Sequence, residues 1–154
     1  MSKSLKNFST IKEYLSEYNY WELWFLFLLN QWDTLMDFNP ESSLEQAQSK
    51  DFEFKSFFRS VKQITQIYDI KKTSQKFNQK DFDLQTLFYQ KKEQIHSHLC
   101  DNFNTLKTIN SLSELVSATS IYMKNDNKEI KSPLLREIAK YVRHILGVMG
   151  FVKD

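Results

Sequence analysis

His96 and Cys100 stand four residues apart, a separation that puts an imidazole and a thiol one turn apart on one helix face. Zinc takes three or four protein ligands, so this pair falls short of a metal site. The simpler expectation is a core cysteine beside a solvated histidine, with no metal held on this chain. His98 belongs to another face of the same helix. Serine, histidine and aspartate all occur, yet no spacing among them sets a nucleophile against a base. Nor is there a glycine-rich loop to cradle phosphates, because Gly147 and Gly150 are the only glycines. The cations are more informative. Lys55, Arg59 and Lys62 fall on one helical stripe, and Lys71, Lys72, Lys76 and Lys80 follow closely. Such a track suits an RNA backbone, where cations displace condensed counterions. An ordinary solvated helix face is the plainer alternative.

The elements that carry these residues read as helices. Pro40 follows Asn39 and Pro133 follows Ser132, each pair a helix cap with proline in the first turn. Gly147 and Gly150 close the last apolar pattern, where a helix would end. Six helices are expected. The first runs from about Ile11 to Tyr18, and the second from Asn19 through an aromatic run to Trp32. The third extends from Pro40 to about Asp69, with Phe54, Phe57, Phe58, Val61, Ile64 and Tyr68 at three- and four-residue steps. The fourth spans Asp81 to Cys100 with Leu84, Phe88, Ile95 and Leu99 on one side. Asn104 caps the fifth, which turns Ile109, Leu112 and Val116 inward. The sixth runs from Pro133 to Val148 and buries Leu134, Ile138, Tyr141, Val142 and Ile145. Residues 71–80 form a polar loop. The fold class is all-α, a helical bundle with antiparallel neighbours.

With 154 residues, the chain can bury a core without a metal or disulfide staple. Its single cysteine excludes an internal disulfide and fits a reducing compartment, so a cytoplasmic location is expected, with an organelle or a large complex left open. Polar Ser2, Lys3, Ser4, Lys6 and Asn7 argue against a signal peptide. The longest apolar run, Leu23 to Leu29, is far short of the roughly 20 residues of a membrane span, so no membrane insertion is expected. Charge is unevenly placed. From Glu13 to Glu53 nine acids meet one base, Lys50, for a balance of −8. From Phe54 to Lys80 seven bases meet one acid, Asp69, for +6. The second stretch can meet phosphates and the first cannot.

Within the second helix, Trp21, Trp24, Phe25, Leu28 and Trp32 form an apolar stripe. Bundle core is one reading of it. Seven consecutive apolar residues nevertheless cover every side of a helix, so part of that surface should meet something outside the bundle.

The opening Met1-Ser2-Lys3-Ser4-Leu5-Lys6-Asn7-Phe8, with Thr10-Ile11, is similar to the Lys-Met-Ser-Lys-Ser loop of class I aminoacyl-tRNA synthetases. Its continuation resembles that of cysteine–tRNA ligases of the eukaryotic type. Leu26-Leu28-Leu29, Trp32 and Leu35-Met36-Asp37 match the segment after the loop. Ile95 to Thr105, Glu114-Leu115-Val116-Ser117 and Ile145 to Gly150 match the helical domain in kind and order. The chain departs from the family at Trp24, where an arginine is usual, and at Asn30, where a histidine is common. Indole for guanidinium removes five donors and a charge.

The resemblance implies a C-terminal portion, from the loop through the helical (DALR-like) region, without the Rossmann-type catalytic domain. Residues 1–38 would be the loop and stem-contact helices, and 39–154 a helical tRNA-binding-like domain. It implies ATP as cofactor, with Lys3 steadying charge on the departing pyrophosphate and Ser2 and Ser4 shaping the loop. Zinc and the His-x-Gly-His element would lie upstream, with none on this chain. The implied parent reaction is ATP-dependent attachment of cysteine to its tRNA; the chain alone is expected to be inactive. A catalytic domain or another protein would cover Trp21, Trp24 and their neighbours. The other function that the sequence allows is a catalytically inert helical subunit of a larger complex.

Overall fold

The structure is a computed structural model that describes residues 10–34, 40–70, 76–124 and 130–151. The helices are α1 (Ile11–Glu17), α2 (Tyr20–Leu28), α3 (Pro40–Ile70), α4 (Gln79–Cys100), α5 (Thr105–Lys124) and α6 (Ser132–Val148). No strand occurs among the described residues, and the all-α expectation holds. Contacts divide the chain into two compact units, with the division inside α3 between Asp51 and Phe52.

In the first unit, both short helices start on reciprocal caps. Thr10 Oγ1 accepts from the Glu13 N–H at 3.2 Å, and the Glu13 carboxylate accepts from the Thr10 N–H at 2.7 Å. Asn19 and Glu22 repeat the arrangement at the start of α2. Helix α2 stops at Leu28, sooner than the aromatic run suggests. The Asn30 side-chain amide donates to the Leu26 carbonyl at 2.7 Å, satisfying an acceptor that a further turn would have used. Leu23, Phe25, Leu26 and Leu28 are buried, as are Leu44 and Ala47 at the start of α3, whereas α1 buries nothing.

The second unit packs the remainder of α3 with α4, α5 and α6. Ser113 of α5 donates to Glu53 of α3 at 3.2 Å, and the Phe88 ring of α4 meets Tyr141 of α6 edge-on at 5.5 Å. Helix α5 lies innermost. Ile109, Leu112, Leu115 and Val116 are fully buried, along with Thr108 and Thr119, whose hydroxyls return to the Asn104 and Leu115 carbonyls. Those return bonds let two hydroxyls enter the core without orphaned polar atoms. Phe88 and Ile95 of α4 and Leu135, Ile138 and Val142 of α6 are likewise almost wholly withdrawn from water. Each such side chain contributes about 1.5–3 kcal/mol of burial free energy.

One buried polar cluster ties the helix ends together. Asp81, wholly buried, closes the α4 capping box: its backbone N–H donates to Asn78 Oδ1 at 3.1 Å, and its Oδ2 accepts from the Asn78 N–H at 2.8 Å. Its Oδ1 accepts from the Tyr122 hydroxyl near the end of α5 at 2.6 Å. The same phenol oxygen accepts from the backbone N–H of Lys131, the residue that precedes α6, at 3.0 Å. The Lys131 ammonium, itself buried, lies 4.0 Å from Asp81 Oδ2. Tyr68, close to the end of α3, is near enough to act electrostatically on the Tyr122 phenol. The start of α4, the end of α5 and the start of α6 therefore meet at one place. Successive helices must alternate in direction.

The turn between α4 and α5 is tight. Asn102 and Phe103 both adopt left-handed backbone, with φ of 52° and 53°. Asparagine tolerates that region, whereas for a phenylalanine it is strained. Asn104 then caps α5, its side chain accepting from the Lys107 N–H at 3.1 Å. At the start of α6 the outcome differs from the expected cap. Lys131 occupies the cap position, no side chain bonds there, and Ser132 is already helical with proline beside it. The Lys131 N–H is engaged by Tyr122, so the entry to α6 is fixed from α5 instead.

Two stability effects should follow. Asp81→Asn removes the charge from the carboxylate that faces the buried Lys131 ammonium and should cost about 3–5 kcal/mol of unfolding free energy in urea denaturation. Tyr122→Phe, which strips two hydrogen bonds but no charge, should cost about 1–3 kcal/mol by the same measurement. The cluster would be unimportant if either variant unfolded at the parent's midpoint.

Burial pushes the Tyr141 phenol from 10.0 up to about 12, and burial with the hydrogen bond to Asp81 pushes Tyr122 up further. Both raised values favour the protonated folded state. Their contribution is complete below the unfolded pKa and is lost as pH rises through the folded values. Stability should fall as pH climbs from about 10 toward 12, and Tyr141→Phe should make that fall shallower.

Candidate nucleic-acid interface

Helix α3 beyond Phe52 is two-faced. Phe54, Phe57, Val61 and Thr65 are buried, while Lys55, Arg59 and Lys62 are exposed on the opposite side. The four- and three-residue spacing aligns these three cations over two turns, about 10 Å of helix axis. Among the described exposed residues of α3 from Phe52 onward there is no acid. Glu53, half-buried, accepts from Ser113 of α5 and so belongs to the packed side. Lys76 and Lys80 are exposed just before and at the start of α4, whereas Lys71 and Lys72 lie outside the described residues.

A residue that sequence reasoning did not single out joins this stripe. The Arg143 guanidinium of α6 lies 5.2 Å from the centre of the Phe58 ring of α3. Phe58 sits three residues after Lys55 and four before Lys62, within the same stripe. The spacing of Arg143 within α6 was visible, but its neighbour on α3 is a tertiary contact with no local signal.

Ser2, Lys3 and Ser4 lie outside the described residues. In α2, Phe25 and Leu28 are covered within the chain, at 2% and 8% exposure. Trp21 and Trp24 are half-buried, and Tyr20 stacks on Trp24 with centroids 6.1 Å apart. Trp32 lies beyond the end of α2 and is 71% exposed; Phe27 and Tyr20 are also open to solvent.

The pairing of His96 with Cys100 needs correction. Cys100 is exposed rather than part of the core, with its Sγ 3.7 Å from His96 Nε2. It is the last residue of α4, where the chain turns outward at Asp101, and the core positions of this helix stop at Ile95. Among the described residues, no three histidine, cysteine or acidic side chains gather as metal ligands. No helix among them is long and apolar enough to cross a membrane.

No family model matches the chain. Individual proteins do. The cytoplasmic cysteine–tRNA ligase of Drosophila pseudoobscura pseudoobscura is 34% identical over 155 residues, covering 99% of this chain and 21% of that protein. The human enzyme of the same name is 35% identical over 158 residues, covering all of this chain and 21% of its own length. That of Dictyostelium discoideum is 33% identical over 157 residues, again covering all of this chain and 24% of its own. Since essentially no part of the sequence falls outside these alignments, the chain is a homologue of the cysteine–tRNA ligases along its whole length, equivalent to about a fifth of theirs.

Proposed function

We propose that this chain serves a cysteine–tRNA ligase as its ATP-facing loop and RNA-facing helices. The observation that carries this reading is end-to-end similarity at 33–35% identity to proteins of that name. The activity is that of the whole ligase: ATP-dependent attachment of cysteine to its tRNA, in the cytoplasm. Residues 1–38 supply the loop and stem-contact helices, and residues 39–154 the tRNA-binding helical domain. Lys3, flanked by Ser2 and Ser4, reaches the ATP phosphates and stabilises charge on the departing pyrophosphate. Lys55, Arg59, Lys62, Lys71, Lys72 and Lys76 form the track for the tRNA backbone. The absence of acids from the exposed, described part of α3 beyond Phe52 supports that assignment.

A second reading, a catalytically inert helical subunit, is favoured by the exposure of Tyr20, Phe27 and Trp32. Large exposed aromatics close together mark a surface that another protein covers. In the ligase reading the cover is the catalytic domain; in the subunit reading it is a foreign partner. The intact mass of the native protein separates the two. A species several times heavier than 18.5 kDa, with peptides ahead of Met1, is the result the ligase reading expects. A species of 18.5 kDa that starts at Met1 would favour the subunit.

In either case the 154-residue chain by itself should give no cysteine-dependent ATP–pyrophosphate exchange, and detectable exchange would refute this. Reversing charge at Lys55, Arg59 and Lys62 should weaken binding to a cysteine tRNA transcript. It should also lower the slope of log K against log salt by about 2–3. Binding that stays unchanged across the titration would remove α3 from the interface.

A further inference from the structure

The four helices of the second unit do not share their charge evenly. On α4, Lys91 is bonded to Glu114 of α5, and Lys92 lies 5.4–5.5 Å from the centres of the Phe88, Tyr89 and Tyr141 rings. The exposed charges of α4, apart from Lys80 at its start, are the acids Asp83 and Glu93. Exposed α5 offers Lys107 and Lys124 against Glu114, and Lys107 lies 3.7 Å from Asp101. Helix α6 is different. Arg136, Lys140 and Arg143 are all exposed and stand four and three residues apart, the spacing seen on α3. They project opposite the buried Leu134, Ile138, Val142 and Ile145, with Glu137 as the single exposed acid and His144 beside it. Arg143 also touches Phe58, within the α3 stripe.

We propose that α3 and α6 present one two-helix phosphate-binding face, with Arg136, Lys140 and Arg143 forming its second row. This rests on the tRNA reading given above and extends it to residues on another helix. The occupant is an RNA backbone. Two neighbouring rows of about 10 Å each can follow successive phosphates, whereas a compact anion would use a single convergent pocket. Arginine suits the junction. Its guanidinium lies over the Phe58 ring, 5.2 Å from the centre, and a guanidinium in such a cation–π contact can still donate N–H groups to a phosphate. Lysine at that position would keep the charge and lose the fork.

The test uses the full 154-residue chain and a cysteine tRNA transcript, titrated from low to moderate salt. Three multiple variants are compared with the parent: Arg136→Gln with Lys140→Gln and Arg143→Gln on α6; Lys55→Gln with Arg59→Gln and Lys62→Gln on α3; and Lys107→Gln with Lys124→Gln on α5 as a charge control. All eight positions are exposed, and circular dichroism with thermal melting establishes that each variant is folded. The α6 variant should bind at least about tenfold more weakly, with the salt slope reduced by about 2–3, as for the α3 variant. The α5 control should stay near the parent, and Arg143→Lys alone should keep the parent's slope. An α6 variant that matches the parent while the α3 variant is weakened would confine the RNA to α3 and overturn the two-helix face. Equal losses in the α5 control and the α6 variant would overturn it as well, by reducing the effect to net charge. If the parent itself shows no salt-dependent tRNA binding, the tRNA reading fails first.

Discussion

The second unit depends on a carboxylate that water never reaches. Asp81 closes the capping box of α4, accepts the Tyr122 hydroxyl of α5 and faces the buried Lys131 ammonium before α6. A buried carboxylate or ammonium costs several kcal/mol to dehydrate, and the attraction between them offsets this only when the geometry is held and the other lone pairs are satisfied. Both oxygens of Asp81 are occupied, and Tyr122 uses its oxygen as donor and acceptor together. The cluster therefore tolerates one arrangement of three helix ends. A purely apolar junction would let α4, α5 and α6 slide in register, because dispersion contacts are nearly interchangeable. We regard the cluster as a device for specificity rather than for net stability.

Much of this was legible in local sequence. Proline at 40, the apolar periods of α3 to α6 and the Asn104 cap carry their own chemistry within a few residues, and the structure has them within a residue or two. Failures came where a side-chain hydrogen bond or a helix end, rather than the apolar period, decided the outcome. The aromatic run suggests that α2 continues to Trp32, but the Asn30 amide takes the Leu26 carbonyl and ends the helix sooner. Ser132 looks like a cap, yet Tyr122, ten residues earlier, holds the N–H of Lys131 and moves the helix start. Cys100 reads as core by residue type, and lies exposed because the helix ends there. Asp81 sits at a position that normally reads as a solvated first-turn acid. Only its partners on α5 and α6 make it a core residue.

The candidate site was legible to a similar degree. The row of Lys55, Arg59 and Lys62 is written in the spacing of one helix, so sequence alone finds it. The row on α6 has the same spacing, but nothing local connects the two. The link is Arg143 against Phe58, which exists only because α3 and α6 are neighbours in the packed unit. Internal pairing matters as much as proximity. Lys91 is bonded to Glu114 and Lys92 lies beside three aromatic rings, while Lys55, Arg59 and Lys62 are exposed. A count of lysines along the chain could not distinguish cations used in folding from those presented to a partner.

Charge and aromatic exposure also divide along the chain in a consistent way. Residues 13–53 carry the acidic balance and include the exposed Tyr20, Phe27 and Trp32. A polyanion is repelled by such a surface, whereas a protein surface can bury its aromatic part and leave the acids at a polar rim. Residues 54–80 carry the opposite balance on a helix whose apolar side is already filled by Phe54, Phe57 and Val61. On that helix Lys55, Arg59 and Lys62 stand exposed for phosphates. The two stretches thus suit partners of different chemistry. The ligase reading uses both stretches, the first for contact with protein and the second for contact with RNA. The inert-subunit reading accounts for the aromatic surface and takes the cations of α3 and α6 as ordinary solvated helix faces.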